Sequence, residues 1–292
     1  MANVLVRGVG SGGAIRAMAV DVTTLGRELA AIHGAAPTAA AALCRVAGAA
    51  LLLGATVKGR AQVSIQVKGD GPIGELYAIA DAHGSVRVSI DDPSVHMASP
   101  FDGSYSVGAA VGNGTLTVTR SVGEGDPYRS IVPLVSGEIA LDMAHYFTAS
   151  EQKPSAMGLG ELLDPSGVVA AGGFLLQTFP GVDEALLAEV EERIGALPRL
   201  SSLLAEGAGP EDVLRRLLPD LVVLDSYPVQ RVCTCSVERS EQILVALGEQ
   251  ELESLIADQQ TTDLRCHFCN TVYAFSRDDV RALLRSARGL LH

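Results

Sequence analysis

Two tight pairs of cysteines near the end of the chain constrain its fold more than any other feature of the sequence. The first pair has the pattern Cys-x-Cys, the second has the pattern Cys-x-x-Cys, and residues 236–265 separate them. The chain has 292 residues and five cysteines, so a random scatter would rarely produce two such pairs. The clustering therefore points to a shared chemical role. The paired residues are Cys233, Cys235, Cys266 and Cys269.

Four thiolates from two short segments are the ligand set of a closed tetrahedral Zn²⁺ site, so we predict one zinc ion bound by the four cysteines in their reduced form. The Cys-x-x-Cys half is expected to lie between two strands. The Cys-x-Cys half requires a turn at Thr234, because residues i and i+2 of a straight strand diverge too far. His267 is a further candidate ligand, but inside its cysteine pair it is expected to point away. No open coordination position is implied, which argues against metal-dependent hydrolysis.

A metal held by both pairs would have a different mechanical effect from disulfides within each pair. The metal closes a loop of about 30 residues, worth roughly 3.6 kcal/mol in loop entropy, whereas a four-residue disulfide ring is worth roughly 2 kcal/mol before strain. Oxidation would also lose a structural-metal contribution of about 10 kcal/mol. The unit that begins near Val229 has roughly 60 residues, close to the lower limit for a self-sufficient core. This chemistry favours a redox-triggered transition from order to disorder.

Hydrophobic periodicity predicts an α+β fold for the rest of the chain. Helices are expected over 21–33 and 38–55, and the second is apolar on all sides, as is typical of a buried helix. Cys44 lies in that helix and is interpreted as a small core residue. His33 is interpreted as a surface or cap residue. A period of two predicts an antiparallel sheet, with strands over 3–9, 14–20, 62–67, 74–80, 85–90, 115–120, 129–134 and 168–179.

Residues 136–157 complete the predicted core domain, which covers residues 1–180. Ser136 is expected to cap a helix over 138–147, with Glu138 and Asp142 on its solvent side. Residues 150–157 are interpreted as a polar connector. Sheet and helices thus occupy separate stretches of this domain.

The character of the chain changes at Pro180-Gly181, where a helical linker over 181–228 is predicted to begin. The linker contains an amphipathic helix followed by two short helices and a strand, over 182–197, 200–206, 210–218 and 221–224. The remaining residues, 229–292, are predicted to form a small zinc-binding redox-switch domain. In that domain Ser240 and Ser276 are expected to cap helices, with a further helix over 249–258 and a strand over 271–275.

Composition and charge restrict the partners and the compartment. The net charge is −12 and no basic patch stands out, so nucleic-acid binding is not expected. Apolar residues make up 48% and charged residues 19%, a globular composition. The apolar run over 38–57 is interrupted by Arg45 and is too short on either side to span a bilayer. The N-terminus lacks the features of a signal peptide. We therefore expect a cytoplasmic protein without a membrane partner, in which clustered cysteines bind metal or undergo redox chemistry.

The chain closely resembles the 33 kDa chaperonin family, the bacterial redox-regulated holdase chaperones also called heat shock protein 33. The resemblance runs along nearly the whole length and rests on a combination of motifs rather than on any single one. These are the segments 51–59 (LLLGATVKG), 69–74 (GDGPIG), 146–155 (YFTASEQKPS) and 171–173 (AGG) with Gln177 and Pro180, followed by the two cysteine pairs.

The resemblance implies a redox switch. The reduced protein would carry zinc on the four cysteines and be inactive, and peroxide or hypochlorite, usually combined with heat, would form the disulfides Cys233–Cys235 and Cys266–Cys269. With the zinc released, the C-terminal domain and the linker would unfold. The protein would then bind unfolding or oxidatively damaged clients without ATP, often as a homodimer, and ATP-dependent chaperones would refold them. The amphipathic helix over 182–197 is either surface whose covering changes on activation or a helix that simply packs on the core.

Two other functions remain open from the residues alone. The metal could be a static staple in a zinc-ribbon binding protein. Cys266 and Cys269 could instead serve a dithiol oxidoreductase, although no helix N-terminus follows them to lower a thiol pKa. The six histidines are scattered and no Ser/His/Asp set can be argued from spacing, so we do not expect an enzyme.

Overall fold

A larger unit of two sheets and a small unit that carries the paired cysteines make up this computed structural model, which describes residues 3–97, 105–121, 125–258 and 260–289. The boundary between the two compact units falls between Val232 and Cys233. The sheets consist almost entirely of antiparallel strand pairs rather than of parallel strands joined through helices, so the predicted α+β class is confirmed.

The first unit contains two sheets. Its strands are β1 (Val4–Gly10), β2 (Ile15–Asp21), β3 (Gln62–Gly69), β4 (Glu75–Asp81), β5 (Ser85–Ile90), β6 (Gly114–Ser121), β7 (Tyr128–Pro133), β8 (Ser155–Asp164), β9 (Gly167–Thr178), β10 (Val222–Pro228) and β11 (Gln230–Arg231). One sheet has the order β10-β1-β2-β9-β8 and is antiparallel throughout. The other has the order β11-β5-β4-β3-β6-β7 and is antiparallel except for the short β11–β5 pair.

The helices of the first unit lie between these strands along the sequence. They are α1 (Thr23–His33), α2 (Pro37–Gly54), α3 (Val107–Val111), α4 (Ala140–Tyr146), which continues into a π-helical turn (Phe147–Glu151), α5 (Glu184–Ala196), α6 (Leu200–Ala205) and α7 (Pro210–Leu217). The two helices predicted first, α1 and α2, begin and end within two residues of the predicted positions.

Helix α2 lies in the core of the first unit and packs against strands of both sheets. By length and hydropathy it is a candidate membrane span among the described residues, and 89% of that window is buried inside the protein. Cys44 is a core residue of this helix, as predicted. The one charged residue in the helix, Arg45, forms a forked pair with Glu161, whose side chain is 5% exposed, with nitrogen–oxygen distances of 2.7 and 2.9 Å. Arg45 also pairs with Glu138. These carboxylates neutralise a charge that would otherwise be costly to bury.

Asp142 is fully buried, so its predicted position on the solvent side of a helix is wrong. Its Oδ1 accepts hydrogen bonds from the backbone N–H groups of Val135, Ser136 and Gly137 at 2.8, 2.9 and 3.3 Å. Its Oδ2 accepts one from Ile139 at 2.9 Å, at the N-terminus of α4. Asp142 thus satisfies the backbone donors before the helix, which is the role predicted for Ser136.

His33 is the last residue of α1 and is buried, so of its two predicted positions, surface or cap, the surface position is wrong. The side chain is 8% exposed, and its Nε2 lies 3.2 Å from the carbonyl oxygen of Val88. A neutral imidazole with its proton on Nε2 donates to that oxygen and needs no other charge nearby. Burial, with a smaller effect of Arg231, lowers the pKa of His33 below its ordinary value of 6.5.

The stability of the first unit is therefore expected to fall in mild acid. Because the folded-state pKa of His33 lies below 6.5, the unfolded state binds more protons, and the free energy of unfolding decreases as the pH falls through 6.5 towards the folded-state pKa. Urea unfolding monitored by circular dichroism at a series of pH values measures this slope. His33→Gln keeps a donor for Val88 but does not titrate, so it should flatten the slope. An unchanged slope in this variant would contradict the assignment.

Residues 150–157 were predicted as a polar connector, but they contain the start of strand β8, which pairs along its whole length with β9. The prediction failed because glycines interrupt the alternation of this strand. At Gly158 a Cβ atom would lie 2.3 Å from the ring of Phe174, so packing across the sheet requires glycine there. This packing requirement depends on a partner strand and is not visible in the local sequence.

The segment predicted as a linker packs within the first unit. Helices α5, α6 and α7 cover one face of the β10-β1-β2-β9-β8 sheet, and strand β10 forms its edge by pairing with β1. Strand β10 extends beyond its predicted end at residue 224, because it pairs with β1 as far as the pair of Pro228 with Val4. The side chains that the helices bury there are Val190, Leu200, Leu204, Val213, Leu214 and Leu217. The predicted domain boundaries after residues 180 and 228 remain a prediction about function. By packing, the boundary between the two compact units lies after Val232.

The second unit contains α8 (Val237–Ala246), α9 (Glu249–Asp258), β12 (Thr261–Arg265), β13 (Val272–Ser276) and α10 (Arg277–Gly289). Ser236, and not Ser240 as predicted, caps α8 by accepting a hydrogen bond from the backbone of Arg239. Ser276 caps α10 as predicted, since it accepts from the N–H of Asp279 at 3.2 Å. The core of this unit is small, and its buried side chains are Leu244, Leu252, Phe275, Val280 and Leu284.

Candidate metal centre

The β12–β13 hairpin presents the second cysteine pair at its turn. Arg265 pairs with Val272 as the last register of the hairpin, and the backbone N–H of Cys266 donates to the carbonyl of Thr271 at 2.9 Å. The N–H of Asn270 then donates back to the carbonyl of Cys266 at 2.8 Å, with Asn270 at a φ of 58°. Asparagine tolerates this left-handed conformation better than most residues. The turn therefore holds both cysteines of the pair, between two strands as predicted.

The first cysteine pair is held by the start of helix α8. Ser236, directly after Cys235, caps the helix. The guanidinium of Arg239, in the first turn, reaches back to donate to the carbonyl oxygen of Thr234 at 2.6 Å. Local hydrogen bonds thus fix the backbone around both cysteines before any metal is considered.

The two pairs meet in space. The sulfur atoms of Cys233 and Cys266 are 3.6 Å apart, those of Cys235 and Cys269 are 3.4 Å apart, and all four lie within 4.8 Å of one another. Four sulfurs at ~2.3 Å from one tetrahedral ion would be separated by about 3.8 Å. The separations are too long for disulfide bonds, at about 2.05 Å. The four cysteines are therefore positioned to bind a metal ion, and a set of four thiolates fits Zn²⁺ best among common ions.

Two residues of the second half of the hairpin contact these sulfurs. The hydroxyl of Tyr273 donates to the sulfur of Cys235 at 3.1 Å, and the hydroxyl of Thr271 lies 3.2 Å from the sulfur of Cys269. Such contacts orient ligands at metal sites. Neither residue was predicted from the sequence. A usable signal was present, because both follow Cys269 at alternate positions and alternate residues of a strand share a face.

The hydrogen bonds make the four thiols unequal. Burial raises the pKa of Cys233 to about 12 and also raises that of Cys266. Burial acts in the same direction on Cys269, but hydrogen bonds with the side chain and backbone of Thr271 outweigh it and lower the pKa to about 6. The hydrogen bond to Cys235 raises the pKa of the Tyr273 hydroxyl to about 12, which keeps it protonated as a donor. The hydrogen bonds from Thr271 thus favour the thiolate form of Cys269, the form that binds a metal ion.

The other candidates lie outside this cluster. Among the residues that the structure describes, His267 is exposed and is not one of the four ligand groups that converge. Cys44 is in the first unit, in α2, and burial raises the pKa of its thiol. The sulfur of Cys44 packs against Gly26 so closely that a Cβ atom at position 26 would lie only 2.5 Å from it. Cys44 therefore has a packing role.

The fold and the site together define a class of protein in which an α+β unit with two sheets is followed by a small unit that gathers four cysteines. The family model described as Hsp33 protein matches residues 3–276. The chain therefore belongs to the Hsp33 family.

Curated relatives and a solved structure agree with this assignment. A 33 kDa chaperonin of Desulforamulus reducens is 43% identical over 288 residues, covering 98% of each chain. A 33 kDa chaperonin of Halalkalibacterium halodurans is 38% identical over 291 residues, covering 98% of this chain and 100% of the relative. The crystal structure of the 33 kDa chaperonin of Thermotoga maritima matches with a TM-score of 0.93 at 30% identity, covering 99% of this chain and 100% of that one.

Proposed function

We propose that this protein is an ATP-independent holdase chaperone regulated by redox state, which keeps unfolding and oxidatively damaged proteins from aggregating. The convergence of four cysteine sulfurs within 4.8 Å, in a unit with only a small apolar core, is the observation that carries the proposal. Family membership supports the chaperone activity. The cytoplasm is the proposed compartment, since reduced thiolates are maintained there.

The reduced state is proposed to be inactive and to hold one zinc ion on Cys233, Cys235, Cys266 and Cys269. When bound, the ion would supply a cross-link between two segments that are 30 residues apart in the chain, residues 236–265 lying between them. The thiolates of both pairs then hold α8, α9 and β12 inside one closed loop. The Tyr273 hydroxyl and Thr271 keep two of the sulfurs oriented.

Oxidation is proposed to convert the four thiols into two disulfides. For each disulfide, two thiols lose two electrons and two protons, and one molecule of hydrogen peroxide is reduced to two molecules of water. Two peroxides therefore oxidise one chain. No thiolate of the cluster then remains to bind the metal. Whether the two cysteine pairs stay covalently linked to each other depends on which sulfurs form the disulfides.

The proposed disulfides are Cys233–Cys235 and Cys266–Cys269. Each lies within one short cysteine segment, 233–235 or 266–269, here called a knuckle, so the two knuckles are left unconnected. The structure also brings the sulfurs of Cys233 and Cys266, and those of Cys235 and Cys269, to within 3.6 and 3.4 Å. Disulfides across the knuckles would keep a long closed loop and would preserve the fold. Pairing within each knuckle is the arrangement that releases the unit, so peptide mapping of the oxidised protein distinguishes a switch from a second type of staple.

Release of the second unit is proposed to loosen the segment before it, residues 181–228, and to uncover apolar surface for clients. Helices α6 and α7 bury leucines on the first sheet, which would become available when they move. A client that exposes apolar side chains would bind such a surface through the hydrophobic effect, without ATP. We propose that the oxidised protein acts as a homodimer and transfers its clients to ATP-dependent chaperones for refolding.

Peroxide treatment of the reduced, zinc-loaded protein is expected to release one zinc ion per chain and to produce suppression of client aggregation in the same time course. Zinc is followed with a chromogenic chelator and aggregation by light scattering of a thermally unfolding client. Cys44→Ala is the matched control and should behave as the wild type. Zinc release without gain of anti-aggregation activity would contradict the proposed switch, and zinc retention would in addition favour a static zinc-ribbon protein.

A further inference from the structure

A cavity of about 410 Å³ lies in the first unit, between residues 152–154, the end of β9 and the segment that leads into α5. Its volume is within the range of small-molecule sites, roughly 300–1,000 Å³. It includes part of the segment 146–155, and neither the metal centre nor the proposed switch gives this cavity a role. Its polar groups include the side chains of Arg16 and Gln177.

Arg16 brings a positive charge to this cavity without a carboxylate bound to it. Among the residues that the structure describes, its side chain donates through Nη2 to Oε1 of Gln177, an uncharged amide. Gln177 is buried and its Nε2 donates to the hydroxyl of Ser155 at 3.2 Å, so the acceptor is held in place. Burial, followed by repulsion from Arg120, lowers the pKa of Arg16. An anion beside Arg16 would relieve both effects.

The acid that acts on Arg16, Glu151, is already engaged by other groups. It forms an ion pair with Arg120, accepts a hydrogen bond from the hydroxyl of Tyr146 at 2.8 Å, and lies 3.2 Å from the ammonium group of Lys153. Three cations therefore share one carboxylate, which leaves two positive charges in excess. Glu151 pairs with Arg120 and Lys153, whereas Arg16, which lines the cavity together with Lys153, has no direct ion pair with Glu151 among the described contacts.

Gln152, Lys153 and Thr178 also line the cavity, and the remaining lining residues are apolar. The apolar lining includes Phe179, Val182 and Leu187, and Phe179 is 46% exposed. We propose that the cavity binds a carboxylate joined to a short aliphatic or aromatic group, with the carboxylate on Arg16 and the apolar group against these three side chains. A planar guanidinium matches a carboxylate with two parallel hydrogen bonds, and an apolar wall beside one oriented charge is typical of small-molecule sites.

Octanoate is the first probe, tested on the reduced, zinc-loaded protein by isothermal titration calorimetry. Saturable binding of one octanoate per chain is expected, with 1-octanol, which lacks the charge, at least about tenfold weaker. Arg16→Gln should weaken octanoate binding by about tenfold or more, whereas the matched control Arg129→Gln, at an exposed position on β7, should leave it unchanged. Absence of saturable octanoate binding at millimolar concentrations, or unchanged affinity in folded Arg16→Gln, would overturn the proposal.

Two further arms keep the test decisive. If Arg16→Gln does not fold, Leu187→Trp fills the apolar wall from a half-buried position and should abolish octanoate binding. N-acetylleucine and its amide represent the end of a polypeptide with and without a carboxylate. Tighter binding of N-acetylleucine than of octanoate assigns the site to polypeptide C-termini, the reverse order assigns it to free aliphatic acids, and both results support a carboxylate site. Equal binding of N-acetylleucine and its amide would contradict the role of Arg16.

Discussion

Replacement of Cys266 with serine is expected to abolish stoichiometric zinc binding and to unfold residues 233–289, while the first unit stays folded. A serine hydroxyl is a poor zinc ligand at neutral pH, and a structural zinc site contributes about 10 kcal/mol. The second unit has few side chains to compensate for that loss, since its core consists of Leu244, Leu252, Phe275, Val280 and Leu284. A unit of this size is close to the limit at which a core suffices without a metal.

Zinc content is measured by mass spectrometry and local stability by hydrogen exchange. Peptides from 233–289 should exchange fully within the shortest time in the Cys266→Ser variant, and peptides from the first unit should keep their protection. His267→Ala alters the adjacent, exposed position in the same knuckle and should retain one zinc per chain. Stoichiometric zinc in Cys266→Ser, or loss of zinc in His267→Ala, would show that the four-cysteine assignment is wrong.

Replacement of Asp142 with alanine should destabilise the first unit by about 4 kcal/mol or more. The variant leaves four backbone N–H groups without their acceptor, of which those of Gly137 and Ile139 are buried. Each unsatisfied buried group costs about 1–3 kcal/mol, and the two part-buried groups add to that loss. The free energy of unfolding is measured from urea denaturation followed by circular dichroism. Losses this large are uncommon and would identify Asp142 as a structural centre of the segment 135–142.

Two variants accompany this measurement. Asp142→Asn keeps one oxygen that can replace Oδ1, which accepts three of the four hydrogen bonds, so it should lose much less stability than Asp142→Ala. Asp164→Ala removes an exposed aspartate that accepts from the N–H of Ser166 in a turn, and it should shift the midpoint little. Equal losses in Asp142→Ala and Asp164→Ala would contradict the assigned role.

The elements that were predictable from the sequence are those whose signal is local. Helix α2 is apolar on every side, and the strands of the second sheet alternate with a period of two, so both follow from periodicity. Strand β8 has no such local signal, because Gly158 is required by the ring of Phe174 across the sheet. The burial of Asp142 depends on backbone donors that become visible only when the preceding turn is folded.

The metal centre shows the same division. Spacing alone predicted that the four cysteines converge, because Cys-x-Cys and Cys-x-x-Cys pairs in a reducing compartment are typical of metal ligands or redox-active thiols. Spacing could not predict the contacts of Tyr273 and Thr271, nor the opposing pKa shifts of Cys233 and Cys269, since these depend on individual hydrogen bonds.

The position of β10 at the edge of its sheet has a consequence for recognition. Among the strands that the structure describes, β10 pairs only with β1, so detachment of β10 would leave the backbone donors and acceptors of β1 facing outward along Val4–Val9. An extended polypeptide could then add to the sheet in its place through main-chain hydrogen bonds. Such strand addition depends on main-chain hydrogen bonds and not on particular side chains. The edge of β1 could therefore bind many unrelated client sequences.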